Sequence, residues 1–271
     1  MKGTIMTLKG IVTTSGRSSH KVMVKAERIA NEWGLPFERR HKRSINLLKM
    51  TFNTTIYIVS NERIEAYHPY ADDPLFFHPN NAMFRAKHWM KHGNDPLIDA
   101  CHLQKGDHVV DATLGLGADA QLASMAVGAS GKVIALEASQ VISLIVKEGF
   151  SSYMSSFMPL NDAMRRITVL HCSHLEWLLK QPDDSVDVIY FDPMFEYKVN
   201  DAAGISPLRT YANYDSLTHT VIREAVRVAR KRVILKDHFR SERFDAFGFN
   251  VQKRPSATYQ FGSIECQKRV E

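Results

Sequence analysis

The chain has 271 residues, 44% of them hydrophobic and 24% charged, and it carries a formal net charge of +6. This composition predicts a globular protein with one large core and a smaller domain, and it excludes a largely disordered chain. No stretch holds the roughly 18 apolar residues of a membrane helix, and the first residues lack the apolar centre of a signal peptide. We therefore expect a cytoplasmic protein that has no contact with a membrane.

The cysteines are Cys101, Cys172 and Cys266, and none belongs to a C-x-x-C pair. An odd number without such pairs argues against a disulfide framework and against a zinc site. We expect buried free thiols and no bound metal.

Positive charge is concentrated in the first part of the chain. Residues 1–105 hold 16 Lys and Arg against 9 Asp and Glu, whereas residues 106–271 hold 19 against 20. A basic module joined to a near-neutral one predicts a polyanionic partner held by the first and chemistry performed in the second. A basic surface that is merely solvated is the alternative.

Residues 1–80 predict a small basic α+β domain. Strand patterns cover residues 5–14 and 54–60, and a helical pattern covers residues 26–33. The densest basic run, residues 39–43, either contacts the phosphates of a nucleic acid or forms a solvated loop. Residues 71–81 contain prolines and asparagines and predict a linker into a second domain over residues 81–271.

Basic and aromatic side chains alternate just after this linker. Arg85 and Lys87 stand beside Phe84 and Trp89. This pattern suits contact with phosphates and stacking on bases. A helix that packs Phe84 and Trp89 on the main domain explains it equally well.

Residues 108–119, HVVDATLGLGAD, are typical of a buried strand that turns sharply into a helix beside a nucleotide-like ligand. Gly115 and Gly117 leave room for a ligand at the backbone, and Asp111 lies where the strand ends. With Ala120, the glycines also satisfy the dinucleotide-binding pattern G-x-G-x-x-A. Alone, this stretch allows a nicotinamide enzyme, an S-adenosylmethionine enzyme or an ordinary glycine-rich turn.

Alternating helices and strands follow this turn. We predict helices at residues 118–127, 141–154 and 175–179, and strands at residues 132–137 and 167–171. Glu137 lies 20 residues beyond Gly117, at the end of a strand, where an acidic side chain accepts hydrogen bonds from ribose hydroxyls.

Residues 185–195, SVDVIYFDPMF, form a continuous apolar run typical of a central parallel strand. Pro193 has no amide hydrogen, so the Asp192 carboxylate and the Pro193 carbonyl are left as acceptors where the strand ends. Two such acceptors align an exocyclic amine and offset the positive charge that develops as the amine attacks a methyl group. Phe195 is placed to stack on the ring that carries the amine. A coincidental Asp-Pro turn is the alternative.

The remaining residues complete the sheet. Residues 196–214, which include Arg209, predict a segment that overhangs the site. A helix at residues 217–230, a fifth strand at residues 232–236 and a short helix at residues 241–247 follow. The last residues predict an antiparallel pair of strands, FNVQKR and TYQFGSIEC.

This order of elements resembles the class I S-adenosylmethionine-dependent methyltransferases, whose α/β, Rossmann-like sheet has seven mostly parallel strands with an antiparallel last strand. The pairing of DATLGLGAD with FDPMF narrows the resemblance to the bacterial small-subunit ribosomal RNA guanine-N2 methyltransferases. It extends over residues 82–265. Before residue 82 only a small basic leading domain is similar.

The resemblance implies a set of site residues. Substrate contacts fall on Arg85, Lys87 and Arg209, and the catalytic group on Asp192, Pro193 and Phe195. The chain departs from the family at Ala118, at Ala138 and at His174, where relatives usually carry two arginines and a serine. The implied contacts to S-adenosyl-L-methionine fall on Asp111, Thr113, Gly115, Gly117, Ala118, Asp119, Glu137, Ala138, Ser173, His174 and Asp192.

The leading hypothesis is therefore a methyltransferase that acts on an exocyclic amine of an RNA base. Its first candidate substrate is guanine N2 in small-subunit ribosomal RNA. The cofactor product would be S-adenosyl-L-homocysteine. The expected partner of the enzyme is RNA, either free ribosomal RNA or the small subunit. A methyltransferase for DNA adenine, a small molecule or a protein amide is an alternative. A non-catalytic RNA-binding protein that retains the cofactor fold is another, as is a nicotinamide oxidoreductase.

Overall fold

The computed structural model describes residues 10–193, 205–212, 217–255 and 257–266. The first part of the chain forms a four-stranded sheet in the order β1-β2-β3-β4, with β1 and β2 parallel and the other pairs antiparallel. Two helices connect the parallel strands β1 and β2 along the chain, because parallel strands need a long crossover connection. The elements are β1 (Gly10–Thr14), α1 (His20–Trp33), α2 (Ile45–Phe52), β2 (Thr55–Val59), β3 (Ile64–Tyr67) and β4 (Leu75–Phe76).

Two predictions for this part need correction. Helix α1 begins at His20, before the predicted residue 26, because the Ser19 side chain accepts the N–H of Val22 and caps the helix. The predicted linker contains β4, and Phe77 beyond it packs into the core. A Cβ atom at Gly149 would lie 2.2 Å from Phe77 Cγ, so the aromatic ring needs a glycine there. One continuous core therefore joins residues of both predicted domains.

The second part of the chain forms a larger sheet flanked by helices. Its strand bounds agree closely with the predicted ones before residue 192. The elements are α3 (Asn80–His92), α4 (Pro96–Cys101), β5 (His108–Asp111), α5 (Ala118–Val127), β6 (Lys132–Glu137), α6 (Gln140–Ser152), α7 (Met158–Arg166), β7 (Ile167–His171), α8 (His174–Leu178), β8 (Val186–Phe191), α9 (Ile205–Tyr211), α10 (His219–Val228), β9 (Ala229–His238), α11 (Arg243–Phe247), β10 (Asn250–Gln252) and β11 (Tyr259–Glu265).

This sheet has seven strands in the order β10-β11-β9-β8-β5-β6-β7. Strands β5 to β9 are parallel to one another, and β11 runs antiparallel between β9 and β10. The predicted mostly parallel sheet with an antiparallel last strand is confirmed. Strand β9 is longer than the predicted residues 232–236 because it pairs on both sides, with β8 and with β11.

The parallel order brings the ends of β5, β6, β8 and β9 to one edge of the sheet, which is where open α/β sheets bind ligands. Strand β8 is buried along its whole length, as its apolar sequence predicts. Among the described helices, none is both long and apolar enough to cross a membrane.

Candidate active site at the carboxyl edge of the sheet

The loop between β5 and α5 owes its shape to two glycines with positive φ, 51° at Gly115 and 74° at Gly117. A Cβ atom at Gly117 would lie 2.5 Å from Phe150 Cζ, so this glycine is also required by packing. At Gly115 the nearest atom to such a Cβ is Leu208 Cδ2, at 4.0 Å. The backbone at Gly115 is therefore open to the approach of a ligand.

Glu137 holds this loop from the end of the neighbouring strand β6. Its Oε2 accepts the N–H of Gly115 at 3.1 Å, and its Oε1 accepts the N–H of Ser139 at 2.8 Å. Burial raises the pKa of Glu137 to about 7, against the effect of these backbone donors. A carboxylate oxygen can accept two hydrogen bonds, so Glu137 can still accept hydrogen bonds from ribose hydroxyls.

Asp111 ends β5 and is 2% exposed. Within the described residues its carboxylate accepts one hydrogen bond, from the N–H of Thr113 at 3.1 Å. Burial and the nearby charge of Asp119 raise the pKa of Asp111 to about 8. A buried carboxylate with so few donors suits a cationic ligand, whose charge would stabilise the ionised form.

Asp192 follows β8 and lies against the glycine loop. Its N–H donates to Thr113 Oγ1 at 2.6 Å, and its Oδ2 accepts from Lys236 Nζ at 2.6 Å. Burial raises the pKa of Asp192 to about 6, while Lys236 opposes this shift. The side chain is still 26% exposed, so its carboxylate is accessible from the edge of the sheet.

Pro193 lies beside Asp192 and is partly exposed. The third member of the predicted amine site, Phe195, lies outside the described residues, and its stacking role stays a prediction.

A chain of charged groups underlies this edge. Both oxygens of Asp119 are engaged: one accepts from Arg85, and the other accepts from Tyr190 Oη at 2.7 Å and Lys236 Nζ at 3.2 Å. Arg85 also binds Asp95 with two hydrogen bonds of 2.9 Å. Burial would raise the pKa of Asp119, but Lys236 and Arg85 hold it below its usual range. Asp119 and Arg85 are thus held by protein groups, and their predicted contacts with cofactor and substrate stay predictions.

Sequence reasoning missed three members of this network: Lys236, Tyr190 and Asp95. Lys236 was visible as a lysine at the end of an apolar strand, which is an uncommon place for an unpaired charge. Tyr190 lies in an apolar run, where an aromatic ring is expected for packing and gives no sign of a polar role. Nothing in the sequence joins Asp95 to Arg85 and Asp119, because the two residues lie 10 and 24 positions away.

Three predicted cofactor residues lie around the end of β7. Ser173 accepts the N–H of Glu176 and caps α8. His174 is buried, and its ring packs edge-on against Phe191 with centroids 5.8 Å apart. The carbonyl oxygen of Ala138 lies 3.1 Å from Nε2 of His171. These contacts orient the loop after β7 at the same edge of the sheet as Asp192. The predicted contacts of Ser173, His174 and Ala138 with a cofactor stay predictions. Ala118, at the start of α5, is partly exposed.

The other predicted substrate residues lie on α3 and α9. Lys87 is exposed, with Nζ 5.8 Å from the centre of the Phe157 ring. Arg209 is partly exposed and lies next to Leu208, the residue above Gly115. Helix α9 therefore covers part of the glycine loop, while residues 196–204 and 213–214 of the predicted overhanging segment lie outside the described residues. Within the described ranges, no cluster of His, Cys, Asp or Glu is arranged to hold a metal ion.

Comparison with known proteins finds a matching family model and similar relatives. Residues 30–247, more than half of the chain, match the family model described as "Putative SAM-dependent methyltransferase". YpiP, an uncharacterized protein of Bacillus subtilis strain 168, is 42% identical over 255 residues, which cover 94% of this chain and 99% of that protein. Ribosomal RNA small subunit methyltransferase J of Alteromonas mediterranea is 25% identical over 213 residues, covering 77% of this chain and 79% of that protein.

The fold also resembles a solved structure. The crystal structure of a SAM-dependent methyltransferase from Neisseria gonorrhoeae matches with a TM-score of 0.57 at 12% identity, covering 94% of this chain and 96% of that one. At this identity the match concerns the arrangement of helices and strands alone.

Proposed function

The chain belongs to the family of SAM-dependent methyltransferases, and on this premise we propose that it methylates an exocyclic amine of an RNA base, guanine N2 of small-subunit ribosomal RNA. The observation that carries the proposal is the position of Asp192. Its backbone is tied to the glycine loop through Thr113, and its carboxylate remains accessible at the edge of the sheet. An amine acceptor and the cofactor loop are thereby held together.

The residues present fit S-adenosyl-L-methionine, which supplies a methyl group on a positively charged sulfur. Asp111 is a buried carboxylate with few donors, as a cationic ligand requires. Glu137 is placed to accept ribose hydroxyls, and Gly115 leaves the backbone open beside it.

Asp192 and Pro193 would position the attacking amine. Delocalisation of its lone pair into the ring makes such an amine a poor nucleophile, so alignment and charge stabilisation carry much of the rate. The Asp192 carboxylate and the Pro193 carbonyl would accept its two N–H groups. Lys236 holds the carboxylate in place at 2.6 Å, so little reorganisation is needed when the amine becomes positive.

An RNA substrate is supported by the exposed face of α3. Phe84 is 70% exposed, and Lys87, His88 and Lys91 are exposed on the same side at spacings of three and four residues. Helix α3 contains no acidic residue. Cations interleaved with an aromatic ring bind phosphates and stack on bases. The similarity to proteins named ribosomal RNA small subunit methyltransferase J supports the ribosomal substrate.

The proposal is tested by methyl transfer from tritiated cofactor to small ribosomal subunits and ribosomal RNA from cells lacking the protein, with DNA and small amines in parallel. We expect label in RNA, and mass spectrometry of the nucleosides to identify N2-methylguanosine. Label confined to DNA or to small amines would overturn the RNA substrate. Thermal unfolding adds a test of ligand class, since S-adenosylhomocysteine should stabilise the protein and NAD should not.

Replacing Glu137 by alanine is expected to weaken binding of S-adenosylhomocysteine about 10- to 100-fold, the scale of one or two charged hydrogen bonds. The variant loses both the acceptor for ribose and the support of the loop at Gly115. Calorimetric titration measures the affinity. Glu176→Ala, which removes an exposed carboxylate from α8, is the matched control and should bind as the wild type does.

The rate of methyl transfer is expected to rise with pH through about 6, because Asp192 accepts the amine only as a carboxylate. Below that value the single-turnover rate should fall about tenfold per pH unit. Measurements at saturating cofactor separate this effect from the titration of Asp111 and Glu137. The apparent midpoint belongs to the coupled group of Asp192, Lys236 and Asp119. A rate that is flat from pH 5 to 8 would contradict the role of Asp192.

A further inference from the structure

A cavity opens between the end of β9 and the β10–β11 hairpin, at the same edge of the sheet as the candidate active site. Its volume is about 910 Å³, which is within the range of small-ligand sites. The floor is apolar, formed by Phe244 and Phe249, and Gln260 closes one side. Gln260 bridges the hairpin by accepting the N–H of Arg254 and donating to its carbonyl oxygen. The walls are therefore built by side chains that the fold holds in place.

The rim of this cavity combines an exposed aromatic ring with cations. Phe239 lines the cavity and is 48% exposed, and the guanidinium of Arg240, just outside the lining residues, lies 5.1 Å from the centre of the Phe239 ring. In the described part of the chain, neither Arg240 nor Lys253 pairs with a carboxylate. Asp245 is the carboxylate that lines the cavity, so the cations exceed it in number.

Arg254 adds a further cation with unused hydrogen-bonding capacity. Its Nη1 atom is buried and has no hydrogen-bond partner among the described residues. The guanidinium lies 5.0 Å from the centre of the Tyr259 ring. Arg243, by contrast, binds Asp237 at 3.0 Å. Arg254 thus adds positive charge behind the exposed Lys253, a combination that favours a ligand with phosphate oxygens.

A chain of contacts links the cavity to the proposed amine site, through Lys236 and Tyr259 to the lining residue Arg254. Lys236 Nζ lies 2.6 Å from Asp192 and 5.1 Å from the ring centre of Tyr259, the same ring that Arg254 contacts. Strands β8 and β9 are parallel, so both sites lie at one edge of the sheet. A nucleic acid strand whose target base lies at Asp192 would therefore place the adjacent nucleotide near this cavity.

We propose that this cavity binds the nucleotide next to the methylated one in single-stranded RNA. The base stacks on Phe239, and its flanking phosphates contact Arg240 and Lys253, with the positive charge of Arg254 behind them. Single-stranded RNA is favoured because its splayed bases stack on aromatic rings while its backbone is bound by cations. The inference rests on the proposed function for the identity of the polymer.

The test compares the triple variant Phe239→Ala, Arg240→Ala, Lys253→Ala with the wild type in methyl transfer to ribosomal RNA. All three side chains are exposed, so the fold should tolerate the change. We expect the KM for RNA to rise at least tenfold, since one stack and two phosphate contacts are lost. The dependence of log affinity on log salt should lose a slope of about 1.4, roughly 0.7 for each phosphate contact. The kcat and the affinity for S-adenosylhomocysteine should stay within about twofold.

A matched control carries one apolar and two basic substitutions at the opposite edge of the sheet: Leu179→Ala, Lys105→Ala, Lys132→Ala. It should keep the KM and the salt slope of the wild type. Equal KM and slope in the two triple variants would overturn the inference. Loss of activity on assembled subunits alone, with normal activity on free RNA, would also overturn it, since the cavity would then contact a ribosomal protein.

Failure of the proposed function has a different signature, namely that the wild type transfers no methyl group to any RNA. In that case, fluorescence anisotropy with a short labelled single-stranded RNA compares the same three proteins. Weaker binding by the cavity variant alone supports the inference, and equal binding overturns it.

Discussion

Replacing Asp192 by asparagine is expected to slow methyl transfer by about two to three orders of magnitude, the scale seen when one preorganised electrostatic contact to a reacting group is removed. Asparagine nearly preserves the size of the side chain, and the backbone N–H still reaches Thr113. What it removes is the negative charge opposite the amine as that amine becomes positive. The effect should appear in kcat, because the charge develops in the transition state.

Single-turnover rates at saturating RNA and cofactor measure this effect. Binding of S-adenosylhomocysteine should change by less than about threefold, as Asp111 and Glu137 are untouched. Asp162→Asn, at an exposed position on α7, is the matched control and should react as the wild type does. If Asp192→Asn keeps the wild-type rate with cofactor binding intact, Asp192 has no part in the mechanism.

The second large effect concerns Arg85, whose replacement by methionine is expected to lower the free energy of unfolding by about 3 kcal/mol, the cost of leaving buried charges without their partner. The Arg85 guanidinium bridges Asp95, which is 2% exposed, and Asp119, which is 9% exposed. Methionine replaces the aliphatic stem but neither set of hydrogen bonds. Asp119 keeps Lys236 and Tyr190, so the loss is partial.

The pH dependence of this loss follows from the direction of the Asp119 pKa. Because the pKa is lower in the folded protein, the carboxylate stabilises the fold above its unfolded value near 4 and loses this effect as the pH falls. Urea unfolding of the wild type and Arg85→Met should therefore differ most near pH 7 and converge below pH 4. Lys87→Met, at an exposed position on the same helix, is the control and should unfold as the wild type does.

This experiment also separates the two roles of Arg85. If Arg85 only contacts RNA, its replacement should raise the KM for RNA and leave the free energy of unfolding unchanged. If Arg85 joins α3 to α5 through Asp119, its replacement should lower the free energy of unfolding. Unchanged unfolding with a higher KM would contradict the structural role and support the substrate contact implied by the family resemblance.

Local sequence was enough to predict the elements around the cofactor loop. Strand β6 has the predicted bounds, and α5 begins and ends where predicted, because apolar periodicity and flanking glycines are local signals. The antiparallel hairpin at the end of the sheet was also predicted from its turn residues. The motif DATLGLGAD together with FDPMF led to the methyltransferase family through resemblance, which the comparisons confirm.

Local signals were weaker in the leading domain. The start of α1 was predicted too late because the capping serine lies outside the apolar pattern that predicted the helix. The linker prediction gave weight to Pro and Asn and missed the packing of Phe77 on Gly149, a contact between residues 72 positions apart.

By itself the sequence determined the alternation of strands and helices, the sharp turn at Gly115 and Gly117, and the acceptors at the end of β8. Tertiary structure alone decided which charges pair. Arg85 and Asp119 were both predicted to contact ligands, yet each is held by other protein groups. The reason is physical: a buried charge is stabilised by whichever opposite charges the fold brings within a few ångströms, and strand order, which sequence distance does not reveal, brings Lys236 to Asp192.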